Sequence, residues 1–164
     1  MTAAALGAAF TELLDVAASL GDADARPQDA DEWDADEVLA HVSLVTAATI
    51  AVAADVAAGV DTTFENRPAS DLWTIRRLVA RAGGRPGLRQ RIETQGGALG
   101  ALVSVLGDPE LDTPIPTLLL SHGAVLVDQP LPLRDLIAGL AEGELPGHRR
   151  QLLALSPRGT GGQR

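Results

Sequence analysis

The sequence predicts an all-α protein, a four-helix bundle with one small β-hairpin inserted before the last helix. Three observations predict this class. Four long segments place apolar residues three and four positions apart, which is helical spacing. A proline-rich stretch, residues 108–132, excludes a long helix just before the last segment. The chain has 164 residues, 46% of them hydrophobic, which is enough for one domain with its own core.

The first helix is predicted over residues 3–20 and is followed by an acidic surface loop at residues 22–32. The second helix begins after Asp34, because Asp34 and Glu37 have the spacing of a capping box. We expect it to end at Gly59, since glycine is a common helix stop. The inward stripes of the two helices are Leu6, Phe10, Leu13, Ala17 and Leu20, then Val38, His41, Val42, Val45, Thr49, Val52 and Val56.

The middle of the chain contains a short helix over residues 71–82 and a third long helix over residues 88–106. Glycines at 83, 84 and 87 separate the two. Residues 117–120 and 124–127 then flank a Ser121-His122-Gly123 turn and predict a proline-bordered hairpin at a sheet edge. The last helix starts near Leu133. The predicted domain covers residues 1–155, and the glycine-rich tail at 156–164 is predicted to be disordered.

Composition excludes several classes of function. The net charge of −9 makes the chain a poor nucleic-acid binder, and 2% aromatic residues leave few stacking platforms. The absence of cysteine excludes disulfides, thiolate ligands and a cysteine nucleophile. The longest apolar stretch, residues 42–54, is shorter than the roughly 20 residues of a membrane span. Glu12 and Asp15 argue against a signal peptide, so a cytoplasmic location is expected.

Three polar residues occupy positions where the helical stripes predict Leu or Val: His41 on the second helix, and Glu144 and His148 on the fourth. Glu144 and His148 are four residues apart and share a helix face. A facing His41 would complete a two-histidine, one-carboxylate set, which suits Zn²⁺ with one open position, or Fe(II). The alternative is a hydrogen-bonded core histidine beside an ordinary helix pair. A buried carboxylate is costly unless it is paired or binds metal, which favours the metal site.

Other polar and aromatic residues have two interpretations each. Gln95 interrupts a stripe and either contacts substrate or bonds to backbone. An arginine run is either a solvated face opposite acidic residues 22–37 or a clamp for carboxylate or phosphate. Trp33 and Trp73 are predicted packing anchors at helix starts, and His122 is a predicted exposed hairpin residue. The arginine run consists of Arg76, Arg77, Arg81, Arg85, Arg89 and Arg91.

Two segments resemble the DinB-like superfamily: Trp33 with Val38-Leu39-Ala40-His41-Val42, and Glu144-xxx-His148 followed by Arg149-Arg150-Gln151-Leu152. The nearer branch is the metal-binding domain of mycothiol-dependent maleylpyruvate isomerases, which are common in actinobacteria. The resemblance implies a divalent metal, usually zinc, held by His41, Glu144 and His148. It also implies mycothiol or another low-molecular-weight thiol, activated by the metal as a thiolate.

Pro146 and Gly147 depart from a regular helix between the last two ligands. The kink they introduce either aims both side chains at the metal or separates them. Three functions therefore stay open. The first is a metal-dependent thiol transferase or isomerase acting on a small molecule. The second is a non-enzymatic bundle that binds a ligand or a protein, or forms a homodimer. The third is a metal-dependent hydrolase that uses metal-bound water.

Overall fold

The computed structural model describes residues 3–21, 32–121 and 123–155. The predicted tail, most of the predicted acidic loop and His122 lie outside these ranges. The helices are α1 Ala3–Ser19, α2 Ala35–Ala57, α3 Arg67–Ser70, α4 Leu72–Ala82, α5 Arg85–Val103, α6 Asp108–Leu111, α7 Leu133–Ala138 and α8 Leu145–Leu155. The π-helical turn Gly139–Glu144 joins α7 to α8, and the strands are β1 Phe64–Glu65, β2 Pro114–Ser121 and β3 Ala124–Pro132.

The long helices pack around α2, which contacts α4, α5 and α8, while α1 packs against α5 and α8. The predicted inward residues form one buried core, with Leu6, Leu13 and Leu39 fully excluded from solvent. The coarse prediction is confirmed: the described chain is mostly helical and carries a small β insertion before the last helix.

The helix α2 begins where the sequence predicts. Asp34 Oδ1 accepts a hydrogen bond from the Glu37 N–H at 2.8 Å, and Glu37 Oε2 accepts one from the Asp34 N–H at 3.1 Å. Among the described helices, α2 alone is long and apolar enough to cross a membrane by length and composition. Of its apolar window, 67% is buried inside the fold, as in a core helix. This is weak evidence for a membrane span.

The helix α5 begins at Arg85, three residues earlier than predicted, and ends at Val103 instead of residue 106. Gly83 and Gly84 both have positive φ values, 77° and 80°, which favour glycine, and the chain turns sharply there between α4 and α5. Pro86 lies in the first turn of α5, where its missing N–H leaves no helical bond unmade. Gly87, predicted as part of the break between the two helices, therefore lies inside the first turn of α5.

The hairpin is longer than predicted, and it belongs to a three-stranded sheet in the order β1-β2-β3. Since β1 pairs in parallel with β2, the prediction of an edge position holds for β3 but is wrong for β2. Prolines oppose each other at Pro114↔Pro132 and Pro116↔Pro130. These two pairs are two residues apart, so both can occupy non-hydrogen-bonded positions, where neither N–H is needed.

Candidate metal centre

His41 lies in the second turn of α2. Its side chain points into the core and is 6% exposed. Its ring lies against Trp33, with centroids 4.9 Å apart. Trp33 is partly buried against the core, which confirms its predicted packing role. The capping box fixes the residue at which α2 begins, and this sets the position of His41 along the bundle axis.

The orientation of the His41 ring is set by α3. His41 Nδ1 lies 2.8 Å from the carbonyl oxygen of Ala69. A carbonyl oxygen only accepts hydrogen bonds, so Nδ1 carries a proton and donates it. In the neutral imidazole the lone pair is then on Nε2, which faces the interior of the site. A histidine that binds a metal through one ring nitrogen usually donates a hydrogen bond from the other ring nitrogen to a nearby acceptor.

Just before Pro146, the last helix contains a π-helical turn, which has about one residue more than an α-helical turn. In the π-helical turn Gly139–Glu144, the Leu145 N–H donates to the Leu140 carbonyl oxygen, five residues back instead of four. A proline inside an α-helix lacks an N–H and clashes with the carbonyl four residues earlier. The wider turn shifts the backbone pairing at this point, so the helix continues through Pro146 into α8.

The irregular helix brings Glu144 and His148 together. Glu144 Oε1 lies 3.2 Å from His148 Nε2 and 2.8 Å from His41 Nε2. The rings of His41 and His148 are 4.7 Å apart between centroids. Pro146 and Gly147 therefore leave the set of three side chains closed, and the alternative in which they separate the two ligands was wrong.

His148 is oriented from within its own helix. Its Nδ1 donates to Gln151 Oε1 at 2.9 Å, which leaves Nε2 facing Glu144 and His41. Both imidazoles thus have their Nδ1 protons directed outward and their Nε2 atoms directed at one carboxylate oxygen. Two lone pairs and a negative oxygen repel one another unless positive charge lies between them. Either additional protons on the imidazoles or a cation can supply that charge.

The electrostatics of Glu144 keep it in the carboxylate form. When the imidazoles carry the additional protons, hydrogen bonds from His148, and then from His41, lower the pKa of Glu144 well below the usual range of a glutamate. Partial burial opposes this shift and is outweighed. The group therefore offers a charged oxygen ligand at neutral pH.

The three ligand atoms lie within 4.8 Å of one another and could bind a metal ion. Zinc bound tetrahedrally at about 2.0–2.2 Å places its ligand atoms about 3.3–3.6 Å apart. The two distances from Glu144 Oε1, 2.8 and 3.2 Å, are shorter than this spacing, so the side chains would move slightly apart around an ion. The Glu144 side chain is 36% exposed and that of His148 is 16% exposed. The cluster is thus closed at His41 and open to solvent at Glu144.

Gln95 lies outside this cluster. Its Oε1 accepts a hydrogen bond from the Ser43 hydroxyl at 2.9 Å, and Ser43 Oγ accepts one from Arg91 Nε at 3.0 Å. Gln95 thus links α5 to α2 through a side chain instead of the expected backbone group. A role in substrate binding stays a prediction.

The arginine run lies in part opposite the acidic residues 22–37, as one of its two interpretations expects, but the Arg85 side chain is only 11% exposed and is not part of a solvated face. Arg76 pairs with Glu37 at 2.8 Å, and Arg85 pairs with Asp36 at 3.0 Å. Trp73, in contrast, is 67% exposed and lies under the guanidinium of Arg77 at 5.0 Å, so its predicted packing role was wrong.

Two outer partners of the site were missed by sequence analysis. Gln151 follows His148 by three residues, a spacing at which helix side chains meet, so this signal was available. The Ala69 carbonyl had no signal, because neither α3 nor its position beside α2 is visible in a local pattern.

Comparison with known proteins reveals no relative. No protein-family model, no curated protein and no solved structure matches the chain. The DinB-like resemblance therefore stays a prediction from two short segments.

Proposed function

We propose that the protein binds a divalent metal, with zinc as the leading ion, through His41, Glu144 and His148. The observation that carries the proposal is that both histidines bond outward through Nδ1 and direct Nε2 at the same carboxylate oxygen. Three protein ligands leave one coordination position open, which is typical of catalytic zinc sites and not of structural ones.

The donor set narrows the choice of metal. Imidazole nitrogens with a carboxylate oxygen suit zinc, and the same pair of histidines with one carboxylate also suits Fe(II). The chain has no cysteine that would favour softer ions. Metal analysis of the purified protein decides between zinc and iron.

The proposed reaction is group transfer or isomerisation of a small molecule with a low-molecular-weight thiol, mycothiol or a related compound. When bound, the ion would lower the pKa of a thiol and present it as a thiolate to an electrophile. The DinB-like resemblance supports the thiol, and the absence of cysteine is compatible with a thiol supplied from outside. Within the chain, Ala69 and Gln151 hold the two imidazoles in the ligating orientation.

The first test is metal content in protein purified without a metal-binding tag. We expect close to one zinc or iron per chain in the wild type and its loss in His41→Ala and His148→Ala. His122→Ala is the matched control, because it removes the third histidine and should retain the metal. Circular dichroism checks that each variant folds. A wild type that neither contains metal nor takes up added zinc contradicts the proposal.

The second test separates the thiol reaction from hydrolysis. Electrophiles are screened with the metal-loaded protein in the presence and absence of added thiol. Turnover that requires thiol and disappears in His41→Ala supports the proposal. Turnover without thiol indicates hydrolysis instead, and metal binding without turnover of either kind indicates a binding module.

A further inference from the structure

The turn that orients His41 is joined to the hairpin through Asn66. The helix α3 is one turn long, and too short to hold its own position by internal hydrogen bonds. Its Ala69 carbonyl is nevertheless the acceptor that fixes the buried ring of His41. Whatever places α3 therefore places this carbonyl, and through it the His41 ring.

Asn66 joins α3 to the hairpin on both sides of its carboxamide. Its Nδ2 donates to the Leu120 carbonyl oxygen at 2.9 Å, and its Oδ1 accepts from the Leu120 N–H at 2.8 Å. The side chain thus pairs with β2 as a peptide group would, directly after the parallel pairing of β1 with β2 ends at Glu65↔Leu118. A register shift between β2 and β3 at Leu119/Leu120 accompanies this pairing.

The backbone carbonyl of Asn66 connects this residue to α3. Its carbonyl oxygen accepts from the N–H groups of Ala69 and Ser70, each at 3.1 Å. Asn66 therefore bonds to the hairpin through its side chain and through its backbone N–H, which donates to the Leu118 carbonyl oxygen at 3.4 Å, and its own carbonyl oxygen bonds to the residue that orients His41. The path from β2 to the site runs from Leu120 to Asn66, then to Ala69 and His41.

We infer that Asn66 is a positioning residue for the metal centre: by pairing with Leu120 of the hairpin it fixes α3, whose Ala69 carbonyl holds His41 in the ligating orientation. This inference depends on the proposed metal binding. The hairpin, whose described residues supply none of the three proposed ligands, thereby becomes part of the support of the site. Removal of outer partners of metal ligands typically weakens metal binding about 10- to 100-fold.

The test compares Asn66→Ala with Ile115→Val, a control that loosens the buried packing of the hairpin and leaves the Asn66–Leu120 pair in place. Zinc affinity is measured by chelator competition, and the geometry of the site by the visible spectrum of the cobalt-substituted protein. We expect Asn66→Ala to weaken zinc binding about tenfold and to alter the cobalt spectrum, while Ile115→Val matches the wild type in both.

The inference is overturned if Asn66→Ala binds zinc within about twofold of the wild type with an unchanged spectrum, or if Ile115→Val weakens binding equally. Should Asn66→Ala not fold, Asn66→Asp is judged by the same two readouts, since it keeps the acceptor for the Leu120 N–H and loses the donor. A wild type that takes up no zinc overturns the proposed function as well. Normal uptake in the Asn66 variants overturns this inference alone.

Discussion

The two histidines of the site are held by different kinds of acceptor. His41 donates to a backbone carbonyl, which no side-chain substitution at Ala69 removes. His148 donates to the side chain of Gln151, which a single substitution does remove. Since the outer hydrogen bond fixes ring orientation and raises ligand basicity, the two histidines differ in how easily they can be perturbed.

Replacing Gln151 tests the outer support of His148. We expect Gln151→Ala to weaken zinc binding by roughly 10- to 100-fold, because Nδ1 loses its acceptor and the ring its orientation. Gln151→Glu keeps an acceptor at the same place and should bind zinc at least as tightly as the wild type. Chelator competition measures both, and equal weakening in the two variants would contradict this role for Gln151.

The three side chains of the candidate site could be predicted to lie together because each interrupts an apolar stripe, where an unpaired polar group is costly. Their outer partners could not be predicted with equal ease. The Ala69 carbonyl belongs to a backbone turn 28 residues from His41, and apolar periodicity carries no information about such a contact. The hydrogen-bonding role of Asn66 is hidden for the same reason.

At the scale of elements, the crossing of α1 over α5 depends on Gly96. A Cβ added at Gly96 would lie 2.9 Å from the ring of the buried Phe10. The neighbouring Gly97 has no atom within 4 Å of such a Cβ. Two adjacent glycines of one helix thus have different roles: Gly96 makes room for an aromatic ring, and Gly97 only weakens the helix.

Alanine at these two positions should change stability in opposite directions. We expect Gly96→Ala to lower the free energy of unfolding by about 1–3 kcal/mol, because Phe10 must shift. Gly97→Ala should raise it by about 0.5–1 kcal/mol through helix propensity. Urea denaturation measures both, and stabilisation by Gly96→Ala would show that the ring of Phe10 can move without cost.

The start of α4 makes part of the stability dependent on pH. Hydrogen bonds from the hydroxyl and then the backbone N–H of Thr74 hold the pKa of Asp71 below its ordinary value of 3.8. The unfolded chain therefore binds this proton more readily than the folded one. The contribution of Asp71 to folding is present above pH 3.8 and is lost as the pH falls through the lowered value.

Comparing Asp71→Ala with the wild type isolates that contribution. We expect the alanine variant to be less stable at pH 7, and the difference to shrink below about pH 4 as Asp71 is protonated in the wild type. Asp71→Asn retains a capping side chain without the charge and should not reproduce this pH dependence. Denaturation at a series of pH values measures the difference, and a gap of constant size would refute the assignment.

The long helices could be predicted from their apolar periodicity, and for α2 the capping box agrees with it. The elements that were missed are short. α3 and α6 are single turns, and β1 has two residues and depends on a parallel partner more than fifty residues later in the chain. Such elements are stabilised by contacts with distant parts of the chain and not by their own sequence.

At the scale of the whole molecule, the site joins distant parts of the chain. His41 and Glu144 are separated by 103 positions in sequence, and the two helices that carry them pack side by side. A metal held by both would stabilise the folded state alone, because the unfolded chain does not bring these ligands together.

Added zinc should therefore raise the melting temperature of the metal-free protein. At a free zinc concentration about 100 times the Kd, the expected stabilisation is about 2.7 kcal/mol. A chelator should reverse the shift, and His41→Ala should show none. Thermal melts monitored by circular dichroism measure it, and an equal shift in His41→Ala would place the zinc elsewhere on the protein.

The π-helical turn before Glu144 has a consequence for how such a site is inherited. Each turn of this kind contains about one residue more than an α-helical turn. The direction in which Glu144 points, toward His41, therefore depends on a single amino acid in the last helix. Insertion or deletion of one codon there would rotate Glu144 around the helix by about a quarter turn or more relative to the residues before it. Descendants of one ancestral bundle could thus gain or lose the site in one mutational step.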